Sequence, residues 1–182
     1  MAISSSALRA QENAPQPAPP PPYLTIGAVD ASPGASVMVP LYFSPDPKTP
    51  VASFTVAIEF VSNNLTFQEA AYGVAGPESL QLASSVTTAV ADDKGVKRSQ
   101  LRLTAKSADP GRGLPEGLLA YFIFNLSLDA KPFVIRLTPT VLAASDTQKP
   151  ARAVSALSAQ AGAVTVMSAD MTPTMACFFF TH

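Results

Sequence analysis

Tryptophan is missing from this chain, and cysteine and histidine occur once each, as Cys177 and His182. One cysteine builds neither a disulfide framework nor a thiolate metal site, and one terminal histidine leaves nothing from which to assemble a catalytic triad or a zinc centre. The glycine-rich phosphate cradles are missing too: no P-loop, dinucleotide fingerprint or Gly-Xaa-Ser-Xaa-Gly elbow occurs. Charge is scarce, at 14% of residues, and the 12 Lys and Arg are scattered singly against 13 Asp and Glu, for a net charge of −1. That pattern offers no basic stripe to nucleic acid or to an anionic membrane surface. No apolar run reaches the roughly 18 consecutive residues of a membrane-spanning helix. Glu59, Glu69, Glu78 and Glu116 fall in no recognisable paired-carboxylate motif. Asp92 and Asp93 are adjacent, but Ca²⁺ takes about six to eight spaced oxygen ligands and no acidic cluster follows, so that pair reads as a turn. No catalytic residue, cofactor or metal is therefore expected, and the chain reads as a non-enzyme.

Proline and aliphatic residues are plentiful: the 182 residues include 18 prolines, and 47% are hydrophobic. That is too apolar for a disordered chain and enough for one sizeable core. Residues 1–22, ending in Pro19-Pro20-Pro21-Pro22, read as an extended spacer. Within them Ala7-Leu8-Arg9-Ala10 before Gln11-Glu12-Asn13 has the look of the cleavage end of a secretory signal, which would place the start further upstream and the chain outside the cell or on its surface; a plain disordered N-terminus is the alternative.

Residues 51–67 organise the remainder. From Ser53 to Phe60 a period of two places Phe54, Val56, Ile58 and Phe60 on one face and Ser53, Thr55, Ala57 and Glu59 on the other, the pattern of a half-buried strand. Ser62-Asn63-Asn64 supplies a turn, and Leu65-Thr66-Phe67 restarts the strand. Residues 24–29 and 37–43 flank the turn residues Pro33-Gly34 and imply a hairpin, with Pro40 arguing for an edge or a bulge. Further strands are expected over 84–90, over 101–106, where Arg102, Thr104 and Lys106 point outward, and over 117–128, 133–138 and 162–166. In the segment 117–128, Leu118, Ala120, Phe122, Phe124, Leu126 and Leu128 share one face, and Leu119, Tyr121 and Ile123 share the other. Residues 151–161 are Ala- and Ser-rich, and a short helix competes there. Short strands about ten residues apart, joined by Pro and Gly turns, define an all-β chain: an antiparallel β-sandwich of about nine strands over residues 23–167, followed by an unassigned tail, 168–182, that ends near Cys177-Phe178-Phe179-Phe180.

These pieces together resemble a cohesin domain, the jelly-roll module through which cellulosomal scaffolds and related bacterial extracellular proteins capture dockerins. The matching residues are Pro33-Gly34 with Val37-Met38-Val39-Pro40, the strand 51–60 with Asn63-Asn64-Leu65-Thr66-Phe67, and Gly117-Leu118-Leu119-Ala120-Tyr121-Phe122-Ile123-Phe124. The chain departs from the family at Ala35, where an Asp often follows the Pro-Gly turn, and at Phe60-Val61, where a Tyr-Asp pair often closes the third strand. The resemblance implies a partner face made from the family's third, fifth, sixth and eighth strands. On this chain that face carries Ser53, Thr55, Ala57, Glu59, Arg102, Thr104, Arg136 and Thr138. It implies a non-catalytic, extracellular module of a bacterial secreted or surface assembly with a dockerin-bearing protein partner.

Two other functions remain open. Sandwich modules of this kind also bind carbohydrate in polysaccharide degradation, but without Trp and with Tyr23, Tyr42, Tyr72 and Tyr121 in separate segments, a stacking row is not evident. A structural sandwich in a secretion or surface complex would instead expose Leu119, Tyr121 and Ile123 as an apolar patch for a neighbouring protein.

Overall fold

The computed structural model describes residues 20–109 and 111–168. Most of the expected spacer, 1–22, and of the tail, 168–182, lies outside the described residues. In chain order the strands are β1 (Tyr23–Ile26), β2 (Ala28–Ala31), β3 (Ser36–Ser44), β4 (Val51–Val61), β5 (Leu65–Tyr72), β6 (Leu80–Thr88), β7 (Arg98–Ser107), β8 (Gly117–Leu126), β9 (Phe133–Asp146), β10 (Ser158–Gln160) and β11 (Gly162–Val166). They form two sheets, one ordered β10-β1-β3-β8-β5 and the other β2-β11-β9-β4-β7-β6. The expected all-β sandwich is present, with eleven strands among the described residues instead of about nine. Two pairings, β1 with β10 and β2 with β11, are parallel, so both sheets are mixed. No helix forms over residues 151–161, where only Ser158–Gln160 is strand.

Alternation places the core as expected at β4: Phe54, Val56, Ile58 and Phe60 are all buried between the layers. Phe124 of β8 comes from the opposite sheet and meets Phe60 edge-on at 5.4 Å and Phe67 at 5.6 Å. Edge-to-face contacts of this kind add to simple area burial. The turn between β2 and β3 follows the residue chemistry: Pro33 and Gly34 occupy its centre, Gly34 takes φ 81°, and the Ala35 amide donates to the Ser32 carbonyl. That is type II geometry, in which the third position favours glycine.

The expected first strand, 24–29, is two strands. β1 pairs antiparallel with β3, as the hairpin expectation required, but at Gly27 the chain crosses to the other sheet and continues as β2. β10 and β11 make the same crossing alongside it, between Gln160 and Gly162. A Cβ on Gly162 would lie 2.3 Å from the Gly27 carbonyl oxygen and 2.5 Å from the Ile26 side chain. Backbone cannot yield there as a flexible side chain would. Gly162→Ala is therefore expected to lower stability by about 1–3 kcal/mol, read as a lower urea midpoint with an unchanged slope.

Pro40 lies in an internal strand, not at an edge. The Gly27 amide donates to its carbonyl at 2.8 Å, so its own nitrogen faces the side where β1 leaves the sheet, and the ladder to β8 loses no donor. The bulge expected near it is found between Leu41 and Tyr42, where β8 contributes the extra residue Leu119. That bulge inverts part of the expected alternation. Leu118 turns partly outward, Leu119 is 0% exposed, and Leu128 lies past the end of β8 at 82% exposure. An exposed patch built on Leu119 is thereby excluded. Asp92 caps its turn as expected, its carboxylate accepting from the amides of Lys94 and Val96 at 2.9 Å each.

Candidate functional site

Four strands in the order β9-β4-β7-β6 form one continuous outer panel. Register fixes who stands beside whom. Ser53 lies between Lys106 and Ser145, Thr55 between Thr104 and Ala143, Ala57 between Arg102 and Thr140, and Glu59 between Gln100 and Thr138. Arg136 continues the outward series of β9 past Thr138, beside Ala163 of β11. All eight residues expected on the partner face thus belong to one side of one sheet. Ala57 differs from expectation in exposure. It is 3% exposed, since a single methyl is overtopped by its cross-strand neighbours Arg102 and Thr140.

The hydroxyls of the panel hold one another. Ser53 and Ser145 are hydrogen-bonded at 2.7 Å and Thr55 and Thr104 at 3.0 Å, across the two ladders that flank β4. Each hydroxyl keeps further acceptor capacity for an incoming donor. Gln100 donates weakly to Glu59 at 3.4 Å. Outward positions of β7 carry Arg98, Arg102 and Lys106, a column in which successive cations are four residues, or about 13 Å, apart. With Arg136 these exposed cations outnumber the central carboxylate, Glu59, and give the panel a positive field although the chain is weakly acidic.

At one end of the panel Ser53, Lys106, Ser145, Lys149 and Pro150 line a depression of about 270 Å³. Its size suits one inserted side chain, since pockets for drug-sized molecules begin at about 300 Å³. Among the described residues no group of three or more His, Cys, Asp or Glu comes together. Nor is any helix there long and apolar enough to cross a membrane.

Sequence reasoning missed Arg98, Gln100, Thr140, Ala143 and Ser145 as members of the face. The first two follow from extending the parity of Arg102 along β7. The others required β9 to run past Pro139 and through the bulge at Leu142, features that alternation cannot show. Pro139 is tolerated because β11 stops pairing at Leu137, leaving β9 a neighbour on one side only.

No protein-family model matches the chain, and no curated protein matches it. Solved structures do. The seventh ScaB type I cohesin from Pseudobacteroides cellulosolvens is 16% identical with a TM-score of 0.61, over 88% of this chain and 97% of that one. A chain of a type I cohesin–dockerin complex from Clostridium thermocellum is 18% identical with a TM-score of 0.59, over 80% and 98%. A non-cellulosomal cohesin from the archaeon Archaeoglobus fulgidus is 16% identical with a TM-score of 0.52, over 80% and 91%. This chain has the cohesin fold, a jelly-roll β-sandwich, as its resemblance in sequence implied.

Proposed function

We propose that this chain is a non-catalytic recognition module that captures a dockerin-type protein partner on the β9-β4-β7-β6 panel and works outside the cell in a bacterial secreted or surface assembly. The observation that carries this reading is the panel itself, broad and hydroxyl-bearing, with hydrogen-bonded hydroxyl pairs on either side of β4 and cations along β7. Support comes from the fold, since one of its structural relatives is a cohesin–dockerin complex. Ser53, Thr55, Thr104 and Thr138 supply hydrogen bonds to the partner, and Glu59, Arg102 and Arg136 orient it. Cations in excess favour a partner whose docking surface is acidic, and charged groups at the rim act mainly on the rate of encounter. Capture from the native secretome by the full chain is expected to be calcium-dependent and to weaken as salt rises from about 0.05 to 0.5 M, because the Debye length shrinks across that range. Capture that is indifferent to both calcium and salt counts against a dockerin-type, acidic partner.

Carbohydrate binding is a second reading favoured by one observation. Tyr42 and Tyr121, far apart in sequence, lie on the outer face of the other sheet, where β3 pairs with β8 and Tyr42 sits opposite Leu118, with Tyr121 opposite Pro40. Tyr23 shares that sheet on β1. Retardation of the chain in a glucan-containing native gel, lost in Tyr42→Ala, with no protein captured, would transfer the function to this face.

A further inference from the structure

The four sheet edges are unequal. β2 and β10 are only four and three residues long, and β5 is interrupted by a bulge at Gln68 and carries Glu69. Shortness, bulges and charge are the devices by which edges avoid pairing with other chains. β6 has none of them. Its residues Leu80–Thr88 pair with β7 in nine uninterrupted steps and include no charged residue, proline or glycine. Residues 83–88 are exposed throughout.

Hydrogen-bond parity identifies which groups this edge offers. Ala89 donates to the Arg98 carbonyl and Ala108 to the Ser79 carbonyl, so odd-numbered residues of β6 direct their amides and carbonyls at β7. Leu82, Ser84, Val86 and Thr88 consequently direct theirs away from the sheet. Among the described residues, no backbone partner meets those four amides. Side chains of the same residues point to the core side, where Val86 is left 45% exposed beside a depression that Phe60, Leu65 and Phe67 help to line.

We propose that β6 pairs with β6 of a second copy of this chain, antiparallel about a twofold axis through Ser84. The sequence Leu80-Gln81-Leu82-Ala83-Ser84-Ser85-Val86-Thr87-Thr88 is complementary to itself in that register. Leu82 of each copy stands beside Val86 of the other, Ser84 meets Ser84, Gln81 meets Thr87, Ala83 meets Ser85 and Leu80 meets Thr88, so the two large apolar side chains nearest the axis face each other and no like charges oppose. Outward-directed amides and carbonyls of Leu82, Ser84 and Val86 then bond in reciprocal pairs, while the Leu80 amide keeps its bond to the Gly76 carbonyl. The second copy's Leu82 covers Val86 over the depression, removing the apolar surface that the lone sandwich leaves open. Because a twofold axis between antiparallel strands is normal to the sheet, the two cationic panels lie side by side and face the same way. A partner with two docking surfaces then binds both, its second contact being intramolecular. Self-pairing stands on the edge alone and does not depend on what the panel recognises.

Sedimentation equilibrium of the full chain, with no partner present, tests this. A mass twice the 18.9 kDa of one chain is expected at high concentration. Ser84→Pro removes an amide aimed away from the sheet, so it is expected to restore the single-chain mass while leaving the far-UV spectrum unchanged. Val86→Lys is expected to do the same by placing charge in the joint and stands in if the proline variant fails to fold. In a Cys177→Ser background, Ser84→Cys is expected to give an oxidised covalent dimer, since opposed Cα atoms in a hydrogen-bonded pair lie about 5.5 Å apart. Thr88→Cys is expected to give none, because the two copies of that residue lie about 27 Å apart in this register. A single-chain mass at every concentration, a dimer indifferent to both edge substitutions, or cross-linking through Thr88 in place of Ser84 overturns the proposal. So does a chain that stays single while its edge takes up an extended peptide from another protein.

Discussion

Phe124→Ala is expected to lower the free energy of unfolding by about 3–5 kcal/mol, the range for truncating a well-packed core aromatic. Phe124 is fully buried and is the ring on which both sheets close, touching Phe60 from β4 across the layers and Phe67 from β5 beside it. Truncation leaves a cavity walled by two rings that are themselves held in rigid strands, so little collapse can fill it. Against a typical domain stability of about 5–15 kcal/mol, such a loss makes the native state marginal. Phe133→Ala is the matched control. That ring is 57% exposed at the start of β9, and its truncation is expected to change stability by no more than about 0.5 kcal/mol. Equal urea midpoints for the two variants would mean that the layers are not joined through Phe124.

Ala57→Trp is expected to weaken capture of the partner by at least about 30-fold, equivalent to ~2 kcal/mol, the scale of a single dominant residue at an interface centre. Ala57 stands at the middle of the panel, with Thr55 and Glu59 along its strand and Arg102 and Thr140 on either side. An indole there stands proud of its neighbours and holds any docked surface away from the Ser53, Thr55 and Thr104 hydroxyls. The change leaves the core untouched, because Ala57 points away from it, so the urea midpoint is expected to move far less than in Phe124→Ala. Tyr121→Ala, on the outer face of the other sheet, is expected to leave capture unchanged. Reversal of that ranking would move the docking surface to the sheet that carries Tyr42 and Tyr121.

Much of this architecture is legible in the sequence because a period of two has a single physical meaning when one face is buried. Phe54, Val56, Ile58 and Phe60 declare the core side of β4, and Ser53, Thr55 and Glu59 then declare the panel without further information. What could not be read are the places where the period breaks. At the sheet-to-sheet crossing at Gly27 the apolar set moves from even positions, Leu24 and Ile26, to odd ones, Val29 and Ala31, a slip of one residue in so short a segment that it reads as one ragged strand. The bulge at Leu119 moves one leucine from the outer set to the core, and the bulge at Leu142 carries β9 on to Ser145. Pro139 reads as a stop because its missing donor matters only where a strand has neighbours on both sides, and neighbours are a property of the sheet. Cross-strand hydroxyl pairs such as Thr55 with Thr104 lie beyond sequence reasoning for the same cause: their partners are 49 positions apart.

The paired crossings of β1–β2 and β10–β11 also determine how the domain bears load. Tyr23 and Val166 sit at opposite poles of the sandwich, and the first and last strands run parallel, four residues of β2 aligned with four of β11 and three of β1 with three of β10. A pull applied between those poles drags the two parallel segments past one another along their length. Their hydrogen bonds then resist in unison, as in a shear joint, instead of parting in succession like a zipper, so the sandwich yields last when it is loaded between those two poles.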